Sequence, residues 1–163
     1  MMRLLLLAAA VLMLPSCGLR PLYAGGSNGP VANALGSVAV DPIPGRDGWL
    51  VRNALQERLQ PLGSGAPRYK LTVKLDDDIT GFGVRSDDAV TRERRTLRAR
   101  FQLTELSSGN IILDATEGTD AGIDVVSSEY AVIAAENTAL ENLADRLASQ
   151  IVTRLSVQAR PAS

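Results

Sequence analysis

Tyr69-Lys70-Leu71-Thr72-Val73-Lys74-Leu75-Asp76 alternates apolar and polar side chains at every step. In extended backbone, successive side chains point to opposite faces. Tyr69, Leu71, Val73 and Leu75 therefore line one face, and Lys70, Thr72, Lys74 and Asp76 line the other. A second run of the same period covers residues 90–106, with Leu97, Ala99, Phe101 and Leu103 on its apolar side. Ser107-Ser108-Gly109-Asn110 has turn chemistry, and a returning strand is expected over residues 111–119. Three antiparallel strands with one apolar face need a covering layer.

Residues 129–157 supply it. Leu140, Leu143, Leu147, Ile151 and Leu155 form a continuous helical stripe, with Ala144, Ala148 and Val152 beside it. Ser127 or Ser128 is placed to cap the start. Upstream, Val38, Ala39 and Val40, stopped by Asp41-Pro42, read as a short first strand. Asp47 is the expected N-cap of a helix reaching about Gln60. Its Val51, Leu55, Leu59 and Leu62 fall on one face, and Pro61 and Gly63 end it. Trp49, near its start, is expected in the core or as a staple, with contact to a membrane or a partner as the alternative. The order strand, helix, three strands, helix predicts an α+β fold, with two helices packed on one face of a four-stranded mixed, mostly antiparallel sheet.

The chain opens MMRLLLLAAAVLMLPSCG. Arg3 precedes an apolar run over residues 4–14, which as helix rises about 16 Å, short of a bilayer's roughly 30 Å core. A charged start, a short apolar run and a small residue before the cut describe an export signal over residues 1–16. Cys17, the one cysteine, follows Ser16 directly. That placement resembles the lipobox of bacterial lipoproteins, which implies cleavage before Cys17 and acylation of its sulfur and new amino terminus. Pro15 departs from that pattern, and an ordinary secretory signal with a chance cysteine is the alternative. Residues 17–35 are expected to be the lipidated cysteine and a flexible tether, since Gly25, Gly26, Ser27, Asn28, Gly29 and Pro30 cannot build a core. Residues 36–158 are then a single domain and 159–163 a tail.

Composition excludes several functions. Histidine is absent and no second cysteine exists, which removes the common zinc ligands, the Ser-His-Asp triad and Cys-His catalysis. Neither cofactor nor metal is implied. Once Arg3 leaves with the signal, 16 of the 17 basic residues face 18 acidic ones, a net charge of −2. With aromatics at 4%, this is no nucleic-acid-binding balance.

Cys17-Gly18-Leu19-Arg20-Pro21-Leu22-Tyr23 resembles the mature start of the LptE family, the lipopolysaccharide-assembly lipoproteins, in its alphaproteobacterial form. Val51-Arg52-Asn53-Ala54-Leu55 is similar to a segment of the family's first helix, and the Ala- and Leu-rich helix after Glu129-Tyr130 is similar to its last. The resemblance implies a nonenzymatic, periplasm-facing outer-membrane lipoprotein, anchored through acyl chains on Cys17. Such a protein pairs with the LptD β-barrel as plug and assembly partner, and binds lipopolysaccharide for delivery to the outer leaflet. Gly18, in place of an aspartate, fits outer-membrane sorting. The rival readings are an auxiliary lipoprotein of a lipid-transporting ABC system and an exported hydrolase using Ser-Lys or carboxylate chemistry, for which Lys70 and Lys74 are the only lysines.

The residues singled out for binding are Arg92, Arg94, Arg98 and Arg100, which strand alternation sends to one face over about 26 Å. Arg95 falls on the other face beside Glu93. Lys70 and Lys74 join the four arginines if register sets the two strands side by side. Arginine forks match the phosphate oxygens of lipopolysaccharide, and an acidic barrel wall fits equally well; such a row also serves as an ordinary solvated face, and Asp76, Asp78, Asp87 and Asp88 are near enough to neutralise much of it. Asp76, Asp77 and Asp78 read as a strand end or loop, and residues 85–88 as a hairpin tip. Phe82, between glycines, either contacts a partner or folds back on the core.

Overall fold

The computed structural model describes residues 29–62, 66–84 and 90–159. The signal, Cys17, Gly63 and the expected hairpin tip at 85–88 lie outside them. In chain order the elements are α1 (Pro30–Leu35), β1 (Val38–Val40), α2 (Gly45–Leu59) with a 3₁₀ turn (Gln60–Leu62), β2 (Tyr69–Val84), β3 (Val90–Glu105), β4 (Ile111–Asp124) and α3 (Glu129–Gln158).

The sheet order is β1-β2-β3-β4; β1 runs parallel to β2, and the other pairs are antiparallel. The α+β expectation holds, with a short third helix added. Odd-numbered residues of β2, of β3 and, from Leu113 onward, of β4 face the helices. Leu71, Val73, Leu97, Ala99, Phe101 and Leu103 are buried there against Val51, Leu55 and Leu59 of α2 and the Leu140-to-Leu155 stripe of α3. Even-numbered residues face away, and no helix among the described residues covers them. The burial of one face only explains the strict alternation. Gly109, at φ 71, occupies the left-handed position that the β3–β4 turn requires. No described helix is long and apolar enough to cross a membrane.

Several expectations change. Residues 30–35, read as tether, form α1, whose Val31, Ala32 and Leu35 are buried; Pro30 opens that helix, where its missing N–H costs nothing. α2 begins at Gly45 after an N-cap at Pro44, so Asp47 lies in the first turn and meets the helix dipole there. Trp49 is 60% exposed, because the face centred on Val51, Leu55 and Leu59 turns it away from the sheet. Asp76, Asp77 and Asp78 lie inside β2, which runs eight residues beyond Asp76, and β4 continues past Thr119 to Asp124. Ser128 is the N-cap of α3 and accepts from Ala131 and Val132 through its carbonyl, while its hydroxyl makes no cap bond.

Candidate functional site

The open face of the sheet gathers the six cations singled out above. The β2–β3 register sets Lys74 level with Arg100, Asp76 with Arg98, Thr80 with Arg94 and Phe82 with Arg92. All six positions are even-numbered, so Lys70, Lys74, Arg92, Arg94, Arg98 and Arg100 share this face. Arg95 lies on the helix side.

The same face carries acid that the sequence reading did not place there. β4 presents Asp114, Asp120 and Asp124, alternating with Thr116, Gly118 and Gly122. Arg92 Nε lies 3.0 Å from Asp124 Oδ1, and Arg94 Nε 3.7 Å from Asp120 Oδ2. Arg100 donates through Nε and Nη2 to the two oxygens of Asp114, at 3.2 and 2.9 Å, and Gln102 Nε2 donates to Oδ2 at 2.8 Å. Those bonds hold the Asp114 carboxyl down at about 2, Arg100 contributing most and Gln102 next, and they raise Arg100. At the β1 edge, Asp41 accepts from Thr72 and lies 3.8 Å from Lys70 Nζ.

Arg98 and Lys74 form no ion pair among the described residues. They are diagonal neighbours across β2 and β3, near Asp76. Beside Arg98, β4 has Gly118, where a Cβ would stand 3.1 Å from Arg98 Cγ, so the absent side chain lets the arginine stem lie across that strand. Thr96, Thr116 and Asp120 complete a shallow polar depression around it, of about 300 Å³. Further along, the guanidinium carbon of Arg94 sits 5.5 Å from the ring centre of Phe82, which is 40% exposed. Phe82 thus lies on the open face and does not fold back on the core.

The helix side carries a different polar feature. Arg95 Nε donates to Asp77 Oδ1 at 2.9 Å, Nη2 to Asp77 Oδ2, and Nη1 to the Glu136 carbonyl of α3 at 2.8 Å. The pairing with Asp77 outweighs desolvation and raises Arg95. This group ties the sheet to the helix layer. It explains Asp77 without a metal ion, since consecutive aspartates on a strand point to opposite faces.

The open face can do one kind of chemistry: it can exchange carboxylate partners for the oxygens of an anion. An exposed ion pair is worth about 0–1 kcal/mol, and a charge-assisted bond to a well-placed acceptor about 1.5–3 kcal/mol. The β4 aspartates therefore align the arginines without holding them against a stronger acceptor. Asp114 fell within the strand expected over residues 111–119 and Asp120 and Asp124 beyond its expected end, and their shared even parity was the signal that would have placed all three on this face.

A family model described as lipopolysaccharide-assembly, LptE, matches residues 35–155, well over half of the chain. Among solved structures, a protein from Caulobacter crescentus is similar at 22% identity and a TM-score of 0.65, covering 80% of this chain and 98% of its own. A minor lipoprotein from Acinetobacter baumannii matches at 17% identity and 0.61, over 77% and 94% of the two chains. The rare lipoprotein B from Shewanella oneidensis matches at 11% and 0.58, over 74% and 92%. At these identities the structures share the fold. No sequence among the curated proteins matches the chain.

Proposed function

The chain belongs to the LptE family of lipopolysaccharide-assembly lipoproteins, and from that premise we propose how it acts. It is an outer-membrane, periplasm-facing subunit held by acyl chains on Cys17. It pairs with an LptD-like β-barrel as plug and assembly partner. It binds lipopolysaccharide for delivery to the outer leaflet, and it works without catalysis.

One observation carries the binding half of this reading. A row of four arginines lies open on β3, and Arg98 and Lys74, diagonal neighbours, have no carboxylate of their own among the described residues. Phosphates of lipopolysaccharide are ligands of matching charge and geometry. The Arg98→Glu and Lys74→Glu double variant tests it. Each lost contact of about 1.5 kcal/mol weakens binding roughly tenfold, so affinity for purified lipopolysaccharide falls by about a hundredfold at low salt. The loss shrinks as salt rises, because exposed charges are screened. Unchanged affinity in a variant with native circular dichroism defeats the assignment. Copurification of the protein with an outer-membrane barrel tests the partner half; copurification with an inner-membrane transporter instead contradicts it.

A further inference from the structure

β4 is an outer strand of the sheet and has a described strand on one side only. One bond shows which of its backbone groups stay open. Val125 N–H donates to the Thr91 carbonyl, so residues 91 and 125 form a hydrogen-bonded pair. Such pairs recur at every second residue of an antiparallel ladder. The register Glu93–Ile123, Arg95–Ala121 and Leu97–Thr119 continues the series, so odd-numbered residues of β4 bond to β3. Asp114, Thr116, Gly118, Asp120, Gly122 and Asp124 therefore turn their N–H and C=O groups outward. Proteins guard such an edge with lysine, proline, a bulge or a short strand. β4 contains neither lysine nor proline and runs for 14 residues, with its bulge confined to one end at Ile112.

α3 turns back along β4, bringing Leu155 level with Ile112. Between the two elements lies a depression of about 470 Å³, bordered by Glu117 of β4 and by Arg146, Gln150, Thr153, Arg154 and Val157 of α3. Both arginines are exposed, and neither forms an ion pair among the described residues. They are eight residues apart, about 12 Å of helix rise, which four residues of extended chain match at about 13 Å. On the other side of the edge the acids are already matched, Asp114 with Arg100, Asp120 with Arg94 and Asp124 with Arg92. The uncompensated charge beside this edge is thus the arginine pair of α3.

We propose that β4 accepts an extended segment of the barrel partner as a fifth strand. Two carboxylates four residues apart on that segment face α3, one meeting Arg146 and the other Arg154. Main-chain bonds to the even-numbered residues of β4 supply affinity, and the alternate side chains supply specificity. The proposal rests on the plug reading, which surrounds the domain with the barrel's chain; wall strands already bond to their neighbours, so the segment is a loop entering the lumen. Other occupants fit less well. Residues 17–29 and 160–163 carry Arg20 and Arg160 but no acidic side chain, and the acidic residues 85–89 join β2 to β3. A second copy paired antiparallel about Thr119 sets Asp114 opposite Asp124 twice, and like charges directly opposite are destabilising.

Residue-resolved amide hydrogen exchange, on the protein purified with its barrel and on the isolated protein, tests this. A fifth strand predicts exchange at least about tenfold slower in the complex at Thr116, Gly118 and Asp120, with far less change at Glu117 and Thr119, which bond to β3 in both samples. Arg146→Glu with Arg154→Glu, its fold checked by circular dichroism, removes the slowing. A photo-crosslinking residue in place of Gln150 maps to a barrel loop with two carboxylates four apart. Equal exchange in the two samples, or a crosslink to a segment without those carboxylates, overturns the proposal and leaves the plug reading standing. A preparation without any barrel refutes that reading and this source together. Slow exchange already present in the isolated protein overturns the proposal as well: if it is independent of concentration the chain covers its own edge, and if it deepens with concentration a second copy does.

Discussion

Replacing Asp77 by alanine should destabilise the domain far more than replacing any carboxylate of the open face. Asp77 accepts two bonds from Arg95, whose third bond goes to the Glu136 carbonyl. The two side chains are only 11% and 19% exposed. Breaking a fully buried pair by removing one partner costs about 3–5 kcal/mol, because the remaining charge is left uncompensated. An exposed pair contributes about 0–1 kcal/mol. Partial shielding sets the expected loss between these limits, at about 2–3 kcal/mol. At about 4 °C per kcal/mol for a domain of this size, the midpoint of thermal unfolding falls by roughly 10 °C. Denaturant unfolding followed by circular dichroism gives the free energy. Hydrogen exchange supplies the location, with protection lost first in the N-terminal half of α3, where Arg95 holds Glu136. The double variant Asp77→Val with Arg95→Met should recover most of the loss, since an apolar pair leaves nothing unsatisfied. A loss below about 0.5 kcal/mol, or a double variant as unstable as the summed single changes, refutes the reasoning.

Two further outcomes follow. Asp114 should titrate near 2 by NMR, and Arg100→Ala should return it toward its ordinary 3.8. A carboxyl whose folded value is depressed adds stability that is complete above its unfolded value and is lost as pH falls from about 4 to about 2, so Arg100→Ala should flatten the pH dependence in that window; a midpoint unmoved by the change contradicts the pairing. Cys17→Ser should release the protein from the membrane fraction while leaving the far-ultraviolet spectrum of the domain unchanged, and retention in the membrane argues against the lipid anchor.

The sheet and α3 were legible because each buries one face only, and one-sided burial writes its period directly into the sequence. Leu71, Val73, Leu97 and Phe101 alternate with residues that meet water, and Leu140 to Leu155 recur along one helical stripe. Trp49 was also within reach: two residues before Val51 it sits about 200° round the helix, away from the sheet. α1 was not legible, since the Gly- and Pro-rich residues ahead of it hide a helix of six residues that is held by packing. Asp76, Asp77 and Asp78 look like a strand end in isolation. They continue β2 because Asp77 meets Arg95 eighteen residues away, and such a partner is set by register. The basic row itself was visible in the alternation of β3. Its neutralisation by Asp114, Asp120 and Asp124 depended on which strand lies next to it, a fact of topology that composition does not carry.

Depletion of the protein in its native cell tests the central claim most directly, with surface lipopolysaccharide and correctly assembled outer-membrane barrel scored in the same culture. The account predicts that both fall together and that re-expression of the wild-type chain restores both. Normal levels of both in depleted cells would contradict it.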